Sequence, residues 1–186
     1  MPAARPVFVT WVRTAESARA ARLLLESIRA FGGAMAPCPA WVFAADGVRE
    51  HARRELAGVA DVAVLPLAVP CDSAPFLFAD KVFACARAEQ VAGPDAGSLV
   101  WVDPECLVAG EPLLLDLGGS ADAAFRPVHV RNVGLPPAEP LDPFWSGICA
   151  AIGTPDVPGT VESFVDGQVL RSYFNSHCFS VNPRVG

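Results

Sequence analysis

Three β-rich runs at residues 7–12, 40–44 and 61–65 are separated by stretches with helical signals, and a fourth run at 99–102 follows a third such stretch. A chain that alternates strand and helix at these spacings is restricted to an α/β fold, with a mostly parallel central sheet and helices on both faces. Thr14 is placed to cap the first helix, and Leu23, Leu24, Ser27, Ile28 and Phe31 give it an apolar face at helical spacing. The Gly32-Gly33 pair closes it. Residues 48–56 carry Arg49, Glu50, Arg53, Arg54 and Glu55, as a surface helix does. Residues 76–91 read as a strongly apolar helix interrupted by Asp80, Lys81 and Arg87.

Beyond residue 108 the pattern changes. A short helix is expected at 111–116, a strand at 121–126, a polar proline-rich loop at 127–143 and a helix at 142–152 with Asp142 near its cap and Pro143 in its first turn. Two more strands are expected at 161–165 and 173–181. The length of 186 residues suits one domain, residues 1–186. Because it stops directly after a strand, it reads as a domain truncated at its C-terminus.

A net charge of -6 argues against a nucleic-acid surface, which needs clustered Lys and Arg. Lys81 is the single lysine. The six cysteines include no C-x-x-C pair, a pattern that suits reduced, buried thiols in a cytoplasmic protein. No secretory leader or apolar run of membrane length is expected. The glycine-rich phosphate fingerprints and the G-x-S-x-G nucleophile motif are missing from the sequence.

The chemistry concentrates at Ser98-Leu-Val-Trp-Val-Asp-Pro-Glu-Cys-Leu-Val108. An apolar run that ends in Asp103 and Glu105 places two carboxylates at the carboxyl end of a central strand, where open α/β sheets bind ligands. With Pro104 stiffening the turn, the pair can share a divalent cation; equally, it can be two solvated acids in a turn.

The order of these features resembles the GT-A glycosyltransferases, the nucleotide-diphospho-sugar transferase superfamily. Phe8-Val-Thr-Trp-Val-Arg-Thr and the helix after it are similar to that family's opening β-α unit. Asp80-Lys-Val-Phe-Ala-Cys-Ala resembles the helix before its central strand. Leu99-Val-Trp-Val-Asp-Pro-Glu resembles the strand ending in its D-x-D motif, and Tyr173-Phe-Asn-Ser-His its later F-N-x-G strand. The second acid is Glu105 where the motif has Asp, and His177 stands where many members have Gly.

The resemblance implies transfer of a sugar from a nucleotide-diphosphate donor to an unidentified acceptor, assisted by Mn²⁺ or Mg²⁺. It implies that Asp103 and Glu105 hold the metal, with Glu105 the more direct ligand. Thr10, Trp11, Arg13 and Asp46 would lie near the nucleoside. Lys81 would reach a phosphate or pair with a carboxylate such as Asp103, unless its stem snorkels to solvent. Arg126, His129 and Arg131 suit diphosphate or acceptor oxygens. Asn132 and Trp145 are weaker sugar contacts. Asn175 and Ser176 would approach the donor sugar, and His177 is the candidate catalytic base or metal ligand. Two other readings stay open: a non-catalytic domain that binds a nucleotide or glycan, and a metal-dependent hydrolase of a phosphate or nucleotide-sugar bond.

Overall fold

The computed structural model describes residues 4–76 and 78–185. Six strands form one sheet in the order β3-β2-β1-β4-β8-β5, where β1 is Arg5–Val12, β2 Ala40–Ala45, β3 Val62–Leu67, β4 Ala96–Val102, β5 Ala123–Pro127 and β8 Phe174–Val181. β1 pairs in parallel with both β2 and β4, β2 pairs in parallel with β3, and β8 runs antiparallel to β4. Among the described residues the α-helices are α1 Ala15–Phe31, α2 Asp46–Glu55, α3 Ala79–Val91 and α4 Pro143–Ile152. A second, two-stranded sheet joins β6, Thr160–Glu162, to β7, Val169–Arg171.

The apolar strand residues alternate between two cores, which is why the first strands read as continuous apolar runs. Phe8, Val12, Val42 and Val100 pack with Ala21, Leu24 and Ile28 of α1 and Ala52 of α2. Val7, Val9, Phe43 and Trp101 pack with Ala84 and Ala88 of α3 on the opposite face. Each Val or Leu side chain so buried contributes on the order of 1.5–3 kcal/mol. The expected arrangement of helices on both faces of a mostly parallel sheet is present.

Local signals account for most element ends. Thr14 and Ser17 form a reciprocal capping box at the start of α1. Asp142 caps α4 by accepting from Trp145 N at 2.8 Å. Gly33 adopts a φ of +55°, and an added Cβ would run into the Glu111 side chain, which accepts from Ala34 N–H.

Several expectations are corrected. Leu23 and Phe31 are exposed, so the buried face of α1 runs instead through Ala18, Ala21, Leu24, Leu25, Ser27 and Ile28. Three consecutive leucines made residues 111–116 look helical, yet they make only one 3₁₀ turn, Leu113–Leu115, with no buried residue to anchor it. The helix expected from residue 76 begins at Ala79, and Leu77 lies outside the described residues. The expected strand at 161–165 is shorter, and its partner β7 had no signal of its own.

The chain divides into two compact units. The first runs to Ala124 and resumes at His177; the second is Phe125–Ser176.

Candidate functional site

In the first unit, polar side chains gather where β4 ends. Residues i and i+2 of a strand share a face, so the Trp101 indole and the Asp103 carboxylate point the same way. Trp101 Nε1 donates to Asp103 Oδ1 at 2.7 Å. Lys81 enters from the first turn of α3 and places Nζ 2.8 Å from the same oxygen. That ammonium also lies 5.5 Å from the centre of the Trp101 ring, a cation–π distance. The pairing expected between Lys81 and Asp103 is therefore present.

The third partner comes from β8. Asp103 N donates to His177 O at 2.8 Å, continuing the antiparallel ladder that pairs Val102 with Cys178. The cross-strand neighbours then meet through their side chains, with His177 Nδ1 2.8 Å from Asp103 Oδ2. A carboxylate only accepts, so the histidine donates through Nδ1. Burial is graded along this chain of contacts. The Lys81 side chain is 11% exposed, that of Asp103 15% and that of His177 69%.

A second ion pair stands beside the first. Arg13, just past β1, brings Nε within 2.8 Å of Oδ2 of the buried Asp80. The approach is that of an ion pair without hydrogen-bond alignment. The sequence offered Asp80 only as a break in an apolar helix, and its role as the partner of Arg13 was not read. The turn after β4 is fixed by Cys106 N donating to Asp103 O at 3.0 Å and Val108 N donating to the buried Ser27 Oγ at 2.9 Å.

The thiols nearby are inert. Burial, offset only in part by Lys81, pushes Cys85 up to about 12. Burial raises Cys106 as well, helped by the charges of Asp103 and Glu105. Neither supplies a thiolate nucleophile near neutral pH.

The other predicted residues fall in different places. Thr10 is buried in β1, and Trp11 packs against the core on the α3 side. Asp46 opens α2, pairs with Arg49 at 3.0 Å and borders a cavity of about 400 Å³ at the carboxyl ends of β2 and β3. Phe83, Arg87 and Gln90 of α3 close that cavity, which the sequence did not announce.

Arg126, Arg131, Asn175 and Ser176 belong to the second unit. There Arg126 lies 5.8 Å from the Phe164 ring centre. Arg131 holds Glu139 at 2.7 Å and donates to Gly134 O at 3.1 Å. His129 packs edge-on against Phe164. Trp145, offered as a weak sugar contact, is a buried core residue that donates to Val133 O at 2.6 Å. Asn132 is exposed at a φ of +39°.

A divalent cation needs oxygens that face it. Asp103 receives two N–H donors on Oδ1 and one on Oδ2, while Glu105 is exposed on the turn. Among the described residues no group of three or more His, Cys, Asp or Glu side chains is placed to hold a metal ion. The carboxylate pair does not fit a preformed cation site. Among the described residues no helix is long and apolar enough to cross a membrane.

No protein-family profile matches the sequence, and no curated protein matches it. Solved structures do. The chain is similar to the galactosyltransferase LgtC in complex with donor and acceptor sugar analogs, with a TM-score of 0.57 and 16% identity over 96% of the chain. It spans 58% of that enzyme's length. It is also similar to mouse xyloside xylosyltransferase 1, with a TM-score of 0.55 and 14% identity over 96% of this chain and 67% of the other. Core-mannan synthase A from Aspergillus fumigatus, in its Mn/GDP form, gives a TM-score of 0.50 and 12% identity over 97% of this chain and 60% of that one. The architecture is that of the nucleotide-diphospho-sugar transferases, the GT-A fold.

Proposed function

We propose that this chain carries the donor-binding part of a glycosyltransferase, which moves a sugar from a nucleoside diphosphate to a hydroxyl-bearing acceptor with help from Mn²⁺ or Mg²⁺. One observation supports this reading above the others. The Lys81–Asp103–His177 cluster and the exposed Glu105 sit at the carboxyl end of a central strand in a GT-A fold. Ligands of open α/β sheets bind at that end.

In this reading Arg13, Trp11 and Thr10 border the nucleoside at the end of β1, and Asp46 contacts it from the cavity at the end of β2. Glu105 would face the diphosphate, and a cation, if one is bound with the nucleotide, would supply positive charge there. Lys81 fixes Asp103, and Asp103 fixes the His177 ring through Nδ1. His177 then suits a sugar or acceptor hydroxyl. Asn175, Ser176, Arg126 and Arg131, which belong to the second unit, are candidates for hydroxyl and anion contacts of that unit.

The test is a thermal-shift screen of UDP, GDP, ADP and CDP, each with and without Mn²⁺. A shift with one nucleotide, lost in Glu105→Ala, is expected. No shift with any of them would remove the donor site. A second reading, a nucleotide-binding domain without transfer, is favoured by the engagement of both Asp103 oxygens in side-chain contacts. Binding with no release of sugar from the matching nucleotide sugar would select it.

A further inference from the structure

On the transfer reading above, on which this rests, we propose that the turn at Phe164 in the second unit is an acceptor subsite. Its ligand is a saccharide that bears a carboxylate or a phosphate.

β6 and β7 form a hairpin, and Phe164 stands on the turn that joins them. The turn is braced on the chain just past β5. Phe164 N–H donates to Val128 O at 2.8 Å, and Val165 N–H donates to His129 O at 2.7 Å. Ser163 N–H closes the turn by donating to Gln168 O at 3.0 Å. The phenyl ring thus stands on a fixed backbone, yet Phe164 is 73% exposed. Two side chains from the far end of β5 touch it. The Arg126 guanidinium lies 5.8 Å from the ring centre, and the His129 ring meets it edge-on with 6.4 Å between centres. Those two contacts leave most of the phenyl surface open.

Residues 125–176 contain three arginines. Arg131 holds Glu139 and Arg171 holds Asp156, whereas Arg126 has no acid at ion-pair distance among the described residues. Asp166, in the same turn, has its oxygens engaged by the Ser163 hydroxyl, Gln168 Nε2 and Arg131 N–H. The Glu162 carboxylate lies by Gly167. A guanidinium laid against an aromatic ring loses little further freedom on binding, and its planar fork matches a carboxylate or a phosphate. The imidazole adds an N–H at the same ring. An open phenyl face suits the apolar C–H face of a sugar, which a bare anion lacks. Fork and platform together select a sugar with a negative group over a neutral sugar and over a free anion.

Titrations of the whole chain, followed by amide chemical shifts, test this with methyl glucoside, methyl glucuronide, glucose-6-phosphate and inorganic phosphate. One charged sugar is expected to bind at least roughly tenfold tighter than methyl glucoside or inorganic phosphate, the gain of a charge-assisted hydrogen bond. Its shifts should centre on residues 126–129 and 163–166, and the sugar that prevails tells carboxylate from phosphate. Arg126→Gln is expected to abolish the preference, and Phe164→Ala to weaken the charged and the neutral sugar alike. Equal binding of methyl glucoside overturns the inference, and so does equal binding of inorganic phosphate, the mark of an adventitious ion only. A preference that survives Arg126→Gln, or no binding of either charged sugar, overturns it too. If a variant fails to fold by circular dichroism, the four titrations of the unaltered protein decide alone. Nucleotide binding is read separately in the thermal-shift screen. Should that fail while a charged sugar binds, the transfer reading falls and the acceptor role with it, and the turn remains a saccharide site. Should it succeed while no sugar binds, the donor site stands and this inference falls.

Discussion

In the first unit a buried lysine meets a half-buried acid at the end of β4, and the contacts run outward to an exposed histidine. In the second, a buried arginine meets an exposed acid on a turn. Arg171 holds Asp156 at 2.7 Å through Nε and donates to Pro136 O at 2.6 Å through Nη1. The neighbouring turn is closed on itself, with the Ser163 hydroxyl donating to Asp166 and Gln168 Nε2 donating to the same carboxylate at 2.9 Å. The lesson is that an ion pair takes its meaning from its surroundings. Arg171 ties the turn at Asp156 to the loop at Pro136, whereas Lys81 holds two polar side chains at the open end of a sheet.

The contrast can be broken by substitution. The largest effect is expected from Asp103→Ala, which takes the carboxylate away from a buried ammonium and should cost about 3–5 kcal/mol, read by urea unfolding. A cost below that of any change at Arg171 would refute the assignment of the more enclosed pair to the first unit. Arg171→Ala should follow, at roughly 2–3 kcal/mol for its lost charged hydrogen bonds. Hydrogen exchange should localise that loss to residues 125–176. Trp101→Phe keeps a ring beneath Lys81 and removes one donor to Asp103, so a loss of about 1 kcal/mol is expected in the same urea assay.

The smallest effect is that of acid. Asp156 is held below its ordinary value first by the Arg171 hydrogen bond and then by Val157 N–H. Asp166 is held below it first by the Ser163 hydroxyl, then by backbone donors. A folded value below the unfolded one gives stability that is complete above the unfolded value of about 3.9 and is lost as pH falls through the folded one. Both acids are on the surface, so the change should be slight. Trp145, the one tryptophan of the second unit, would report it as a fluorescence change below pH 4 that precedes any change in the first unit.

The sheet was legible because strands buried on both faces must be apolar throughout, and β1, β2 and β4 are. The Lys81–Asp103 contact was legible as one of three outcomes for a lone lysine in an apolar helix, beside a phosphate contact and a stem that reaches solvent. The partnership of Asp103 with His177 was not. It depends on the antiparallel register of β8 against β4, and a separation of 74 positions carries no sign of that register. Trp101 was within reach of the two-residue alternation that joins it to Asp103, but an aromatic in a buried strand reads as core, and its ring is core. Only the indole N–H is not. Leu23 and Phe31 failed in the opposite direction: a helical face inferred from large apolar residues overlooked the alanines that α1 buries.

The withdrawal of Lys81 from solvent also makes it a reporter. Amine-directed acylating reagents have one lysine to find in this sequence, and its nitrogen is turned inward against a carboxylate. Labelling at that position should be slow in the resting protein and should quicken when the grip of Asp103 is loosened. The rate at which a single side chain is acylated would then follow the opening of the cluster in real time, with no label added by design.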